Sequence, residues 1–322
     1  MIAARATSFN PEHPAQGLTV GETPEPVAPD GWVTVTVTAA SLNHHDVWSL
    51  KGVGLREDQL PITLGTDAAA VDDDGHEYVV HAVIGDPAAG NGDETFDPKR
   101  SLLSERYDGT LAQRVTVPAR NLVAKPAQLS AAEAACVPTA WLTAYRMLTT
   151  RGQVKSGETV LVQGAGGGVS TALVVLGQAM GARVWVTSRD EARREHALAL
   201  GAEAAFESGA RLPERVDAVM ESVGEATWAH SLRALRPGGR VVVCGATSGA
   251  APSADLNRVF FLQLSVIGST MGTRDELEAV LSMMVDTGLR PQIDSTYALS
   301  DARSAIEHLA SGAAFGKIVV VP

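Results

Sequence analysis

Over 158–268 short apolar runs alternate with helix-forming segments, and that alternation limits the fold more than any other feature of the chain. The runs 159–163, 183–187, 217–221, 240–244 and 264–268 read as strands. Between them 169–180, 191–200 and 227–235 read as helices, the first two closed by Gly181 and Gly201. Strands and helices alternating at this length imply a parallel sheet with both faces covered.

The flanking sequence reads differently. The first 125 residues are β-rich and irregular, with the period-two run Val33-Thr-Val-Thr-Val-Thr, the pair Val79-Val80 and 113–117 as strand candidates. The stretch 85–97 reads as an exposed loop. Ser130-x-x-Glu133 is a capping box opening a helix that Pro138 interrupts or ends. Thr273-x-x-Glu276 starts another capped helix, 301–310 a further one, and 317–321 a closing strand.

With 322 residues there is chain enough for two ordinary domains. The net charge of −11 argues against an electrostatic nucleic-acid partner, which needs clustered Lys and Arg. No apolar run is long enough for a membrane span, and the opening residues lack the apolar core of a signal peptide. Cys136 and Cys244 lie far apart in apolar surroundings and read as buried thiols in a reducing compartment, so a cytoplasmic protein is expected.

One turn carries chemistry. Gly164, Ala165, Gly166, Gly167, Gly168, Val169 and Ser170 follow the first strand of the series and open its first helix. At that position glycine lets phosphates approach backbone amides at a helix N-terminus, so the turn reads as a cradle for a dinucleotide pyrophosphate. The glycine spacing alone is imperfect; the strand–turn–helix context decides it. An NAD site favours an acid at the end of the second strand, where this chain has Ser188 and Arg189, with Arg193 and Arg194 close behind. Arginine suits a 2′-phosphate, so NADPH is the expected cofactor. The alternative is that Ser188 caps the next helix with Glu191 and Arg189 is merely solvated.

Several segments together resemble the medium-chain dehydrogenase/reductase superfamily, and within it the zinc-free, quinone-oxidoreductase-like branch. They are SLNHHDVWSLKG (41–52), LGTDAAA (64–70), AACVPTAWLTAYRML (134–148), the glycine turn, DAVMESVG (217–224), LRPGGRVVVCGATSG (235–249) and GAAFGKIVVV (312–321). The resemblance implies an α/β protein with a GroES-like β-rich catalytic domain over 1–126, completed by 272–322, and a Rossmann doubly wound domain over 127–271. It places the active site in the cleft between them. Zinc-dependent relatives hold catalytic zinc with Cys, His and Cys or Asp where this chain has Asn43, Thr66 and Thr139, and their cysteine-rich zinc lobe falls in a region without cysteine. No metal is therefore expected. A site made from His44, His45 and Asp46 is disfavoured because adjacent side chains diverge.

Without a Lewis acid, a quinone or α,β-unsaturated carbonyl is an easier acceptor than a saturated alcohol is a donor, because the product anion is delocalised. The resemblance places His45 at a proton-relay position, with a loop histidine satisfied by backbone as the alternative. Trp48 is then a stacking wall or core packing, and Asn43, Asp46 and Asp67 occupy cleft positions, a structural role suiting the two acids better. On the cofactor side the resemblance puts His44, Thr143, Gly245, Thr247 and Lys317. It also implies a homodimer paired through the edge strand 264–268. A short-chain dehydrogenase is excluded because no tyrosine has lysine four residues on, and Ser188-Arg189 argues against a methyltransferase. A non-catalytic NADPH-binding protein and an alcohol dehydrogenase-like enzyme remain as alternatives.

Overall fold

The computed structural model describes residues 1–322 as two compact units, Met1–Leu142 with Met271–Pro322, and Thr143–Thr270. The first unit begins with β1 (Ile2–Ala6), β2 (Leu18–Glu22), β3 (Trp32–Ser41), α1 (His44–Leu50), β4 (Ile62–Thr63), β5 (Asp67–Val71) and β6 (Glu77–Val80). β7 (Val83–Ile84), β8 (Ser101–Leu102), β9 (Arg114–Pro118), β10 (Leu122–Ala124) and α2 (Ala131–Ala135) follow. The period-two run is the middle of β3, which pairs with β9 through its first half and with β5 through its second. Thr36 pairs with both β5 and β9, so these two flank β3 on opposite sides, and the β5 pairing shifts register between Val37 and Ala39. Ser130 caps α2 as expected, its Oγ accepting from the Glu133 amide at 3.2 Å. The helix then passes into a π-helical turn, Val137–Trp141, because Pro138 has no amide to continue the α ladder.

The second unit runs α3 (Leu142–Arg146, its first residue still in the first unit), β11 (Thr159–Gln163), α4 (Gly168–Ala179), β12 (Arg183–Thr187), α5 (Glu191–Ala199) and β13 (Ala204–Phe206). It continues through β14 (Val216–Glu221), α6 (Glu225–Ala234), β15 (Leu235–Val243), α7 (Leu256–Phe261) and β16 (Ser265–Gly268). Six strands form one parallel sheet in the order β13-β12-β11-β14-β15-β16, the doubly wound arrangement. Leu161, Trp185, Val219, Leu232 and Val241 are buried in its core.

The chain then returns to the first unit with α8 (Arg274–Thr287), β17 (Ile293–Ala298), α9 (Ala302–Ser311) and β18 (Lys317–Val321). β18 inserts between β3 and β17, completing a sheet of order β10-β6-β5-β3-β18-β17 with β9 off its path. Leu18, Val35, Leu50, Leu64, Ile306 and Ile318 belong to one continuous core, so sequence-distant segments fold as one body. Each such fully buried side chain contributes about 1.5–3 kcal/mol.

Two expectations differ from what is observed. The first unit extends to Leu142, beyond the expected 126/127 division, because α2 packs on β3 and β5 and the π turn on α8. The stretch 85–97 is not simply exposed: Glu94, Thr95 and Asp97 are buried. Asp97 accepts from the amides of Asp86 and Lys99, and Glu94 from that of Arg274 at the start of α8. His81 Nε2 lies 3.2 Å from Glu94 Oε1, at ion-pair distance but without hydrogen-bond alignment.

Candidate active site

In the first unit the end of β3, the start of α1, the start of β5, the π turn and the start of β18 bring together six polar side chains. Asp67 is fully buried. Its Oδ2 accepts from Ser41 Oγ at 2.9 Å, Asn43 Nδ2 at 2.8 Å and Lys317 Nζ at 3.2 Å. Its Oδ1 accepts from Thr139 Oγ1 at 2.5 Å and Thr66 Oγ1 at 3.5 Å. Ser41 can spend its one hydrogen on Ala135 O instead and Thr66 its own on Thr139, so Asn43, Lys317 and Thr139 are the donors that Asp67 holds outright, which suits a structural role for it. Lys317 spends its other two donors on Leu42 O at 2.7 Å and Asn43 Oδ1 at 2.6 Å. The Lys317 ammonium thus spends its three donors inside this cluster. Asn43 is equally committed, its Nδ2 also reaching Thr66 Oγ1 at 3.0 Å, and Thr66 and Thr139 hydroxyls lie 3.0 Å apart.

Next to this hub α1 fans its first residues apart. Asp46 is buried and accepts from the Asn43 amide at 2.8 Å and the Gly65 amide at 3.0 Å. Burial pushes its carboxyl up despite opposing help from His45 and those amides. His44 faces solvent and His45 is half-buried, so these three neighbours diverge. The His44 imidazole is held below its ordinary value by desolvation, then by Lys317 and Lys51. His45 goes the other way. Desolvation alone would lower it, but the hydrogen bond to Glu105 and the charges of Asp46, Glu105 and Asp67 outweigh this and raise it. Its Nε2 is 3.4 Å from Glu105 Oε1 and its Nδ1 3.4 Å from Ser104 Oγ. Trp48 is half-buried with Lys51 Nζ 5.2 Å from its ring centroid. Glu105 and Ser104 went unnoticed in the sequence because nothing local marks them; their partner is some sixty residues away.

In the second unit the glycine turn sits at the C-terminal end of β11. Gly164 and Gly166 have φ of +79° and +104°, and a Cβ on Gly164 would lie 3.0 Å from Val223 Cγ2. Gly167 is the N-cap of α4 and has no side chain to satisfy the first-turn amides, including those of Gly168 and Val169. Ser170 Oγ is turned back onto Gly167 O at 3.0 Å, leaving its amide rather than its hydroxyl for a ligand. These features fit a pyrophosphate. Gly245, where a Cβ would be 3.1 Å from Ser222 O, and the exposed Thr247 lie just beyond the end of β15, at the same edge of the sheet. Thr143 is buried in α3.

At the end of β12, Ser188 does not cap α5. Asp190 does, accepting from the Arg193 amide at 3.1 Å, while Ser188 Oγ accepts from the Asp190 amide at 3.2 Å and keeps its hydrogen to donate. Arg189 is exposed, and Arg193 Nη1 reaches back to Ala165 O at 3.4 Å, which brings it to the glycine turn. Burial pushes both thiols, Cys136 and Cys244, up to about 12, so neither is a nucleophile near neutral pH. Asp72, Asp74 and His76 cluster at the turn between β5 and β6, where Asp72 already accepts from the Asp74 and His76 amides and the Tyr78 hydroxyl. No helix is long and apolar enough to cross a membrane.

Known proteins share this architecture. Residues 29–127 match the model of the alcohol dehydrogenase GroES-like domain and 168–286 that of the zinc-binding dehydrogenases. The chain is 28% identical to the acryloyl-coenzyme A reductase of Metallosphaera sedula over 323 residues, which covers 95% of this chain and 96% of that one. It is also 28% identical to the quinone oxidoreductase of Homo sapiens, across 92% and 91% of the two chains. The crystal structure of an NAD-dependent alcohol dehydrogenase superposes with a TM-score of 0.91 at 30% identity over the whole of both chains. With a GroES-like unit, a Rossmann-type unit and end-to-end similarity, the chain belongs to the medium-chain dehydrogenase/reductase superfamily of oxidoreductases.

Proposed function

We propose that the protein reduces a quinone or α,β-unsaturated carbonyl at the expense of NADPH, without catalytic zinc. The observation that carries this reading is the closed hydrogen-bond set at Asn43, Thr66 and Thr139, the positions implied as zinc ligands in metal-dependent relatives. Neutral amide and hydroxyl oxygens, already bonded to one another and to Asp67, do not fit a zinc ion that favours thiolate and imidazole. Bound NADPH would supply the hydride. Addition to a conjugated acceptor leaves a delocalised anion, which hydrogen-bond donors stabilise without a metal. His45, its imidazole raised above the ordinary value by Glu105 and its acidic neighbours, is the proton source in this reading, and its long 3.4 Å contact to Ser104 is weak enough to be exchanged for a substrate oxygen. Trp48 offers a flat apolar wall. The similarity to an acryloyl-coenzyme A reductase and a quinone oxidoreductase supports a conjugated substrate.

Preference for NADPH rests on Ser188, Arg189 and Arg193 at the end of β12. The similarity to an NAD-dependent alcohol dehydrogenase favours a second reading, an NADH-linked alcohol dehydrogenase. Consumption of NADPH and NADH with a quinone, an acryloyl thioester and simple alcohols, with and without chelator, separates the two. The proposal expects NADPH-linked enone or quinone reduction indifferent to chelation and slowed in His45→Ala with cofactor affinity kept. Zinc-dependent oxidation of ethanol or benzyl alcohol would overturn it.

A homodimer through β16 belongs to the same reading. β16 is an edge strand, Val266 on it is 51% exposed, and Phe260 and Phe261 beside it are 68% and 80% exposed. An open edge with exposed aromatic residues is a liability that pairing removes. A monomer in light scattering at micromolar concentration would refute it.

A further inference from the structure

Beneath the glycine turn a hydrogen-bonded chain crosses the second unit. The Gly164 amide donates to Thr187 Oγ1 at 3.4 Å, and the Thr187 hydroxyl donates to Gln163 Oε1 at 2.6 Å. Gln163 Nε2 donates to His230 Nδ1 at 2.9 Å and to Ser231 Oγ at 3.0 Å. His230 Nε2 reaches Ala210 O at 2.9 Å, and the Ser231 hydroxyl reaches Glu221 Oε2 at 2.6 Å. Glu221 Oε1 takes the amides of Val223 and Gly224 at 2.8 and 3.0 Å, and the Thr227 hydroxyl bonds both its oxygens. Gln163, Ser231 and Glu221 are buried and His230 nearly so.

The direction of each bond follows from its neighbours. The Ala210 carbonyl only accepts, so His230 carries its proton on Nε2. Glu221 takes the Ser231 hydrogen, so Ser231 accepts from Gln163. That turns the Gln163 NH2 toward Ser231 and His230 and leaves its oxygen for Thr187. His230 Nδ1 must then be bare.

We propose that this network holds the glycine turn in shape for phosphate, with Gln163 and His230 as positioning residues, and that a proton on His230 Nδ1 breaks it. The phosphate half rests on the NADPH reading. A protonated ring sets N–H against N–H at Gln163. Flipping the Gln163 amide repairs that bond but aims its oxygen at Ser231, whose hydrogen is already spent on Glu221, and its NH2 at Thr187. Repair at one end therefore costs the other: Ser231 loses its donor and the Thr187 hydrogen loses its acceptor, which disturbs the hydroxyl that takes the Gly164 amide. Burial first, then Arg233 on the same helix, hold the His230 imidazole below its ordinary 6.5 against the Ala210 carbonyl and Glu221. Arg211, Glu214 and Arg215 from the preceding loop line a cavity together with His230. The ring is thus neutral at neutral pH and the network closed.

Nitrogen-15 NMR of the cofactor-free protein should find the Nε2–H tautomer of His230 and a Gly164 amide shift that titrates with the His230 midpoint. NADPH affinity, followed by fluorescence downward from about pH 8, should weaken about tenfold or more through that midpoint, a change of about 1.4 kcal/mol. The 2′-phosphate titrates nearby, so His230→Gln is the control; its amide can accept from Gln163 and donate to Ala210 O, and should remove the excess pH dependence while keeping tight binding. An Nδ1–H tautomer at neutral pH, a Gly164 amide indifferent to His230, or an undiminished acid loss in His230→Gln would each overturn the proposal. If NADPH fails to bind at about pH 8 while Gly164 and His230 titrate together, the cofactor reading falls and the acid-sensitive network stands.

Discussion

The first unit buries an ion pair, and the second buries a mostly neutral chain that ends on a single carboxylate, Glu221. Asp67 and Lys317 are an ion pair in which the ammonium spends all its donors. Around Gln163 the bonds are neutral except at Glu221, and one member, His230, has a nitrogen that can change its role. A buried ion pair fixes architecture because neither member can let go without stranding a charge. A chain in which one neutral member can take up a proton can be reversed locally, so it suits a turn that has to receive a ligand.

The sharpest way to break this contrast is to remove one charge. Lys317→Met leaves Asp67 buried and uncompensated, and should cost about 3–5 kcal/mol, whereas Gln163→Leu should cost about 1–3 kcal/mol. Urea unfolding measures both, and Lys317→Met combined with Asp67→Asn should recover a large part of the loss. Equal costs for the two single variants would erase the distinction.

The first unit has a second buried carboxyl at Glu94, which is held down at about 2, burial being outweighed by the nearby His81 and the Arg274 amide. Because the folded value lies below the ordinary 4.5, its stabilisation is present above pH 4.5 and is lost as pH falls toward 2. Glu94→Gln should remove at most about 3 kcal/mol near neutral pH and flatten the acid limb of a pH–stability profile. An unchanged limb would assign acid lability elsewhere.

Under the NADPH reading, charge on the second unit acts at the surface, on the ligand. Arg189→Ala should weaken NADPH by about ten- to over a hundredfold, the worth of a charge-assisted bond of roughly 1.5–3 kcal/mol, while NADH affinity barely moves. The loss should shrink at high salt. Equal affinity for both cofactors in the unmutated protein would show Arg189 to be only a solvated side chain.

Much of the second unit was legible in the sequence. β11 and β12, and in the first unit β18, match the expected runs residue for residue because each is a compact apolar stretch bounded by breakers. β13 was not, being three half-buried residues, nor was β17, whose alternating Asp294 and Thr296 face outward. The glycine turn could be read because its chemistry is local. Lys317 could not: its role depends on Asp67, 250 residues earlier. Ser188 was ambiguous between cap and ligand until Asp190 was seen to take the capping position. The Gln163 network joins residues up to 68 positions apart that carry no shared motif.

The placement of β18 has a consequence for the order in which the protein can form. During synthesis β3 and β5 are made early, yet the strand that separates β3 from β17 comes last. Until Lys317 emerges, Asp67 is a carboxylate whose cation does not yet exist, and the sheet has an open edge at β3. The segment 143–270 has no such debt, because every strand of its sheet lies within it. The nascent chain should therefore complete its second unit while the first waits half-paired, with Asp67 and the end of β3 among the last to find their final partners.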